Sequence, residues 1–164
     1  MSVVEPQAAG GPGAIEQMIA AVLLGRGRLK DADLARAQRL QADAGGSLAT
    51  LMVRLGLVSE RDMAEAASEV LGLPMVAARD CPETPPEGLP LSLRFLKQYA
   101  ICPVKEDAAG IELLVADPQD EYAAQAVRLA TGRAVHVKIG LRSEIADLIE
   151  RYFGQGRSAM GTIV

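Results

Sequence analysis

Apolar residues recur at helical spacing through the first half of the chain. Ile15, Met18, Ile19, Val22 and Leu23 fall at i, i+3, i+4, i+7 and i+8, the stripe of a helix with one buried face. Gly25 and Gly27 follow and predict its end, because glycine alone enters the left-handed turn cheaply. A second helix is predicted from near Asp31, with Leu34, Ala37 and Leu40 on one side and Arg36 and Arg39 on the other, stopped by Gly45-Gly46. A third stripe, Leu48, Leu51, Met52 and Leu55, runs to Gly56. A fourth helix opens at Ser59, whose hydroxyl suits an N-cap, with Glu60 and Asp62 in its first turn where the helix dipole favours acid. Its inward residues are Met63, Ala66, Ala67 and Val70.

These four segments are two copies of one unit. A shift of 29 residues lays Ile19 on Leu48, Ala20 on Ala49, Val22 on Leu51 and Leu23 on Met52. Gly27 then meets Gly56, Leu29 meets Val58, Asp33 meets Asp62, Leu34 meets Met63 and Ala37 meets Ala66. Apolar character, the turn glycine and the small interhelix residue are all kept, as a duplicated packing unit requires. Two copies make a tandem helical-hairpin bundle, placed at 14–79, rather than a solenoid.

Beyond Leu73 the pattern changes. Pro74-Met75-Val76 reads as a short extended piece, and 80–90, rich in Pro and Glu, as a linker. Leu91–Tyr99 suits a short helix. Ile101–Val104 and Gly110–Ala116 are predicted strands of a hairpin around the polar turn Lys105–Ala109. A helix is expected over Gln119–Thr131 and a half-buried strand over Ala134–Ile139, where Val135, Val137 and Ile139 alternate with His136 and Lys138. Arg142–Phe153 is a final helix with Ile145, Leu148, Ile149 and Phe153 inward. The fold class expected is α+β: the bundle, then at 91–153 a small α/β subdomain with a short three-stranded sheet. Residues 1–13 read as a disordered leader without the basic and apolar regions of a signal peptide, and 154–164 as the start of a further linker.

Composition narrows the function. The 164 residues carry 17 Lys and Arg against 21 Asp and Glu, a net charge of −4, so there is no basic surplus to neutralise nucleic-acid phosphates. Aromatics make up 3% and Trp is absent, which removes base-stacking platforms. The longest apolar run, Met18–Leu24, falls far short of the ~20 residues that span a bilayer. Cys81 and Cys102 are too few for a disulfide framework and suit a reducing cytosol. No Gly-x-x-x-x-Gly-Lys-[Ser/Thr] run cradles a triphosphate. The single histidine, His136, has no metal-ligand spacing around it, Cys102 reads as core, Cys81 as an exposed linker thiol, and Asp117 and Asp120 as caps of the next helix. No enzyme, metal or cofactor site is expected. The group Arg26, Arg28, Arg36 and Arg39 on the first hairpin is the candidate contact for an acidic partner, since arginine offers a planar fork of donors.

The repeat and the segments C-terminal to it carry a family resemblance. Gly27-Arg28-Leu29 with Leu34-x-x-Ala37-x-x-x-Gln41, the second copy Leu51-Met52-Val53-x-x-Gly56-Leu57-Val58-Ser59-Glu60-x-Asp62-Met63, Gly72-Leu73-Pro74, Tyr99-Ala100-Ile101-Cys102-Pro103-Val104 and Leu113-Leu114-Val115-Ala116-Asp117-Pro118 are similar to the N-terminal region of type II secretion and type IV pilus assembly ATPases. The resemblance is to the general secretion pathway protein E family and its MshEN-like domain. It implies the front part of a hexameric ATPase, with ATP and Mg bound only in a domain outside this chain. It also implies docking to the cytoplasmic domain of the inner-membrane platform protein (the general secretion pathway L protein), hence a cytoplasmic location peripheral to that membrane. The alternative implied is a cyclic di-GMP sensor, because some members bind that nucleotide through the repeat. Here the arginine positions of those members hold Met18 and Ser47, and Gln41 has Val70 as its second-copy counterpart. Gly27, Gln41 and Gly56 are then vestiges of a nucleotide motif, and cyclic di-GMP is not the expected ligand.

Overall fold

The computed structural model describes residues 12–154. The predicted tail at 154–164 lies, all but Gly154, outside the described residues, as does the predicted leader up to residue 11. The chain divides into two compact units, one ending at Gly72 and the other beginning at Leu73.

The first unit contains α1 (Pro12–Gly25), α2 (Asp31–Ala44), α3 (Leu48–Arg54) and α4 (Glu60–Leu71). Helix α1 packs on α4 and α2 on α3, with α3 also against α4. Each copy therefore lays its first helix on the second helix of the other copy. Equivalent positions share a fate: Ile19 and Leu48, Ala20 and Ala49, Leu23 and Met52, Leu29 and Val58, and Ala37 and Ala66 are all buried. The paired alanines let the helix backbones approach closely. Met18, Leu40 and Leu55, expected inside, are instead 50%, 39% and 42% exposed, because they lie at the margins of apolar stripes wider than the strip a neighbouring helix covers. Leu55 is also the C-cap of a helix only seven residues long. Ser47 and Ser59 cap α3 and α4, accepting from the backbone N–H of Thr50 and Asp62.

The second unit holds α5 (Leu93–Tyr99), β1 (Ile101–Asp107), β2 (Gly110–Val115), α6 (Glu121–Thr131), β3 (Val135–Ile139) and α7 (Arg142–Phe153). The sheet order is β1-β2-β3, with β1 and β2 antiparallel and β2 and β3 parallel through α6. Strand β1 runs three residues beyond the expected Val104, with a register shift between Pro103 and Lys105, so the predicted turn contracts to Ala108–Ala109. Leu73–Arg79, assigned from the sequence to the bundle, belongs to this unit. The reason is backbone pairing: Ile139 N–H donates to the Pro74 carbonyl (2.9 Å) and Val76 N–H to the Ile139 carbonyl (2.8 Å).

The expected linker at 80–90 packs too. Pro85 is buried, Leu89 sits against the core, and Tyr152 Oη donates to the Pro82 carbonyl at 2.6 Å. Prolines forbid helix and ladder here but not burial. The core gathers Ile101, Cys102, Val104, Ile111, Leu113, Leu114, Val127, Ile145, Leu148 and Tyr152.

Gly110 closes the hairpin at φ +135°, and a Cβ there would lie 2.5 Å from the Ala134 carbonyl oxygen. Gly110→Ala is expected to cost about 2–3 kcal/mol, read as a lower urea midpoint at unchanged slope. Burial, aided by the neighbouring Cys81, pushes the Cys102 thiol up to about 12. Burial first, then Cys81 and Cys102, pushes the Tyr152 phenol up to about 12. Both groups bind their proton more tightly folded than unfolded, so stability is full below about pH 9 and falls as the pH rises toward 12. Thermal melts across that window should show the decline, and Tyr152→Phe should make it shallower.

Candidate functional site

The two interhelix turns are built alike. After α1, Gly27 N–H donates to Leu24 O (3.0 Å) and Arg28 N–H to Leu23 O (2.8 Å); after α3, Gly56 N–H donates to Val53 O (3.0 Å) and Leu57 N–H to Met52 O (2.9 Å). Gly27 and Gly56 stand at φ +70° and +77°, the left-handed conformation that closes a helix C-terminus. A Cβ at either would meet open space, so the requirement for glycine there is conformational.

The four arginines divide. Arg26 pairs with Glu69 and Arg28 Nε lies 3.9 Å from Asp62 Oδ1, so both tie the first turn to α4 of the second copy. Arg36 pairs along its own helix with Asp33 at 3.6 Å. Arg39 is exposed on α2. Arg26, Arg28 and Arg36 thus carry carboxylate partners at the protein surface, where such pairs contribute little stability.

Gln41 is half-buried and engaged within the first unit. Its Nε2 donates to Gly46 O at 3.0 Å and approaches Glu16 Oε1 at 3.5 Å. Glu16 Oε2 accepts from Leu48 N–H at 3.0 Å, so one carboxylate on α1 caps α3 and holds the end of α2. Glu16 does not stand out in the sequence. Its one signal is asymmetry, since a 29-residue shift places Gly45 opposite it and Val70 opposite Gln41. Ser47 spends its hydroxyl on Thr50 N–H at 3.2 Å. Glu16→Ala leaves Leu48 N–H and the Gln41 amide without that acceptor, and should cost about 1–2 kcal/mol in chemical denaturation.

In the second unit, Asp120 caps α6 through Tyr122 N–H, as expected for a strand-end aspartate, while Asp117 accepts from Arg142 at 3.4 Å. His136 is exposed, with Nε2 3.0 Å from Ala109 O. Cys81 is half-buried rather than exposed, its thiol donating to Ala77 O at 3.6 Å; burial, then Glu112, raises its pKa. Among the described residues no three His, Cys, Asp or Glu side chains gather as metal ligands. No described helix is long and apolar enough to cross a membrane.

Comparison with known proteins places this arrangement. The MshEN domain family matches residues 71–159, which takes in the second unit and leaves the helical repeat outside the match. Type II secretion system protein E of Xanthomonas campestris pv. campestris is 61% identical over 153 residues, 91% of this chain and 27% of that protein. The type IV pilus assembly ATPase PilB of Thermus thermophilus is 30% identical over 122 residues, 73% of this chain and 14% of that protein. The chain thus spans about a quarter or less of the length of these curated relatives. The N-terminal domain of XpsE superposes with a TM-score of 0.76 at 55% identity, covering 84% of this chain and 95% of that one. A structure of MshE with cdg shares the fold at a TM-score of 0.66 and 19% identity, covering 82% and 97%.

Proposed function

The chain belongs to the MshEN domain family and matches the N-terminal domain of type II secretion protein E, and from that premise we propose that it serves as the docking module of a secretion ATPase. Its partner in this reading is the cytoplasmic domain of the inner-membrane platform protein, the general secretion pathway L protein, which holds the motor at the membrane periphery. ATP and Mg act in the part of the protein beyond this chain, which corresponds to 27% of the Xanthomonas relative. The module itself needs no cofactor.

One observation carries the preference for docking over nucleotide sensing. The polar positions that the family resemblance assigns to the nucleotide are changed here or already hydrogen-bonded within the first unit. Met18 and Ser47 stand at the arginine positions, Ser47 caps α3, and the Gln41 amide is held by Gly46 and Glu16. What the unit offers outward is a rigid four-helix surface with Arg36 and Arg39 on α2. The fold shared with MshE bound to cdg, and the two left-handed glycine turns, favour the second reading, a cyclic di-GMP sensor.

Calorimetric titration of the chain with the platform protein's cytoplasmic domain, and with cyclic di-GMP in parallel, separates the two. Docking predicts saturable heat from the protein and none from the nucleotide. Heat from cyclic di-GMP alone makes the domain a sensor. Replacing Arg36 and Arg39 by Glu together should weaken partner binding by about five-fold or more; unchanged affinity in the folded double variant removes the α2 face as the contact.

A further inference from the structure

We propose that the segment 155–164, which follows α7, folds back on the second unit and seats Met160 in an apolar notch beside β1, with Arg157 against Glu87 on its rim. This rests on the second unit alone and is independent of the docking reading above. The notch measures about 200 Å³ and is lined by Pro85, Pro86, Leu89, Leu91 and Phe153, with Glu87 beside them. Leu89, Leu91 and Phe153 pack on the core yet stay half-buried, so apolar surface remains to be covered. Small-molecule clefts run from about 300 Å³ upward; this one has the size for a side chain. Pro103 also lines it, which puts it at β1, one edge of the sheet. Pro74 and Val76 pair at the other edge, with Ile139 of β3.

The chain leaves α7 at the margin of the notch, since Phe153 is both the last residue of that helix and part of the lining. Gly154 then turns it back. Its ψ of −155° ends the helix, it is buried, and a Cβ there would collide with the backbone carbonyl of Glu150. Only glycine lets the chain press so closely on the last turn of α7. The MshEN match also runs to residue 159, five positions past Gly154, so the family's domain takes in residues of this segment.

The segment carries the chemistry that the notch calls for. Met160 is its first large apolar residue, and an unbranched, flexible side chain fills irregular gaps well. The six residues after Gly154 reach up to about 20 Å when extended, ample for a return to a site that Phe153 already lines. Arg157, three positions before Met160, is the segment's one charged side chain. Glu87 is exposed and carries no ion pair among the described residues, whereas Glu106 is taken by Arg133 and Glu150 by Lys97. A seated segment fixes the direction in which the chain leaves the second unit.

The test is NMR of the whole chain labelled with carbon-13 at its methionine methyls, the Met160 signal being assigned by its loss in Met160→Ser. Nuclear Overhauser contacts from the Met160 methyl to Leu89, Leu91 and Phe153 are expected. Seating also slows trypsin at Arg157, because cleavage tracks the population of the open form. Met160→Ser, which leaves every core residue in place, should quicken that cut about five-fold or more, and Glu87→Gln, far from the cut bond in sequence, about two-fold. Contacts of the Met160 methyl elsewhere or with its sequence neighbours alone, or equal cleavage of the parent chain and Met160→Ser, overturn the proposal. So does protection that rises with protein concentration, which gives the notch to the segment of another copy.

Discussion

Neither helical hairpin of the first unit buries its apolar face by itself. Helix α1 needs α4 and α2 needs α3, so each copy is completed by the other. The constraint explains which residues the duplication preserves. Ala37 and Ala66 have no exposed surface at all, because a larger side chain at either would push apart helices from different copies. Gly27 and Gly56 set the turn that points the second helix of each copy toward its counterpart. The Arg26–Glu69 and Arg28–Asp62 pairs and the Glu16 cap on α3 also cross between copies, so the polar contacts follow the exchange that apolar burial imposes.

The second unit solves a different problem. Its β-α-β segment puts α6 beside a sheet whose middle strand, β2, is apolar through Ile111, Leu113, Leu114 and Val115. That burial extracts a cost in chemistry: Cys102 and Tyr152 are held where ionisation is opposed, which suits structural groups rather than reactive ones. The proline-rich stretch from Pro82 to Leu91 accepts the Tyr152 hydroxyl at Pro82 and lays Leu89 and Leu91 on the core, so it works as packing where flexibility was expected.

Much of this was legible in the sequence. The four helices, the repeat and its register, the three strands and the caps at Ser59 and Asp120 all follow from patterns that local physics enforces. Other features were not. Met18, Leu40 and Leu55 belong to apolar stripes, but the width of the buried strip depends on how closely a distant helix approaches. The Pro74–Val76 pairing with Ile139 joins residues far apart in sequence, and three residues carry no periodicity. Glu16 and Gln41 meet across 25 positions, and a lone polar residue beside an apolar stripe reads as solvent-facing. The four arginines were visible as a local group, yet two of their partners, Glu69 and Asp62, lie on a helix whose placement only the fold decides.

Mutual completion of the two copies is open to direct test by native-state hydrogen exchange on the chain carrying Ala37→Ser, a substitution confined to the first copy. A hydroxyl at that buried contact lowers the stability of the first copy. If the copies complete one another, amide protection in α3 and α4 falls by the same free energy as in α1 and α2. Undiminished protection in α3 and α4 would show that the second hairpin stands by itself, and would contradict the account.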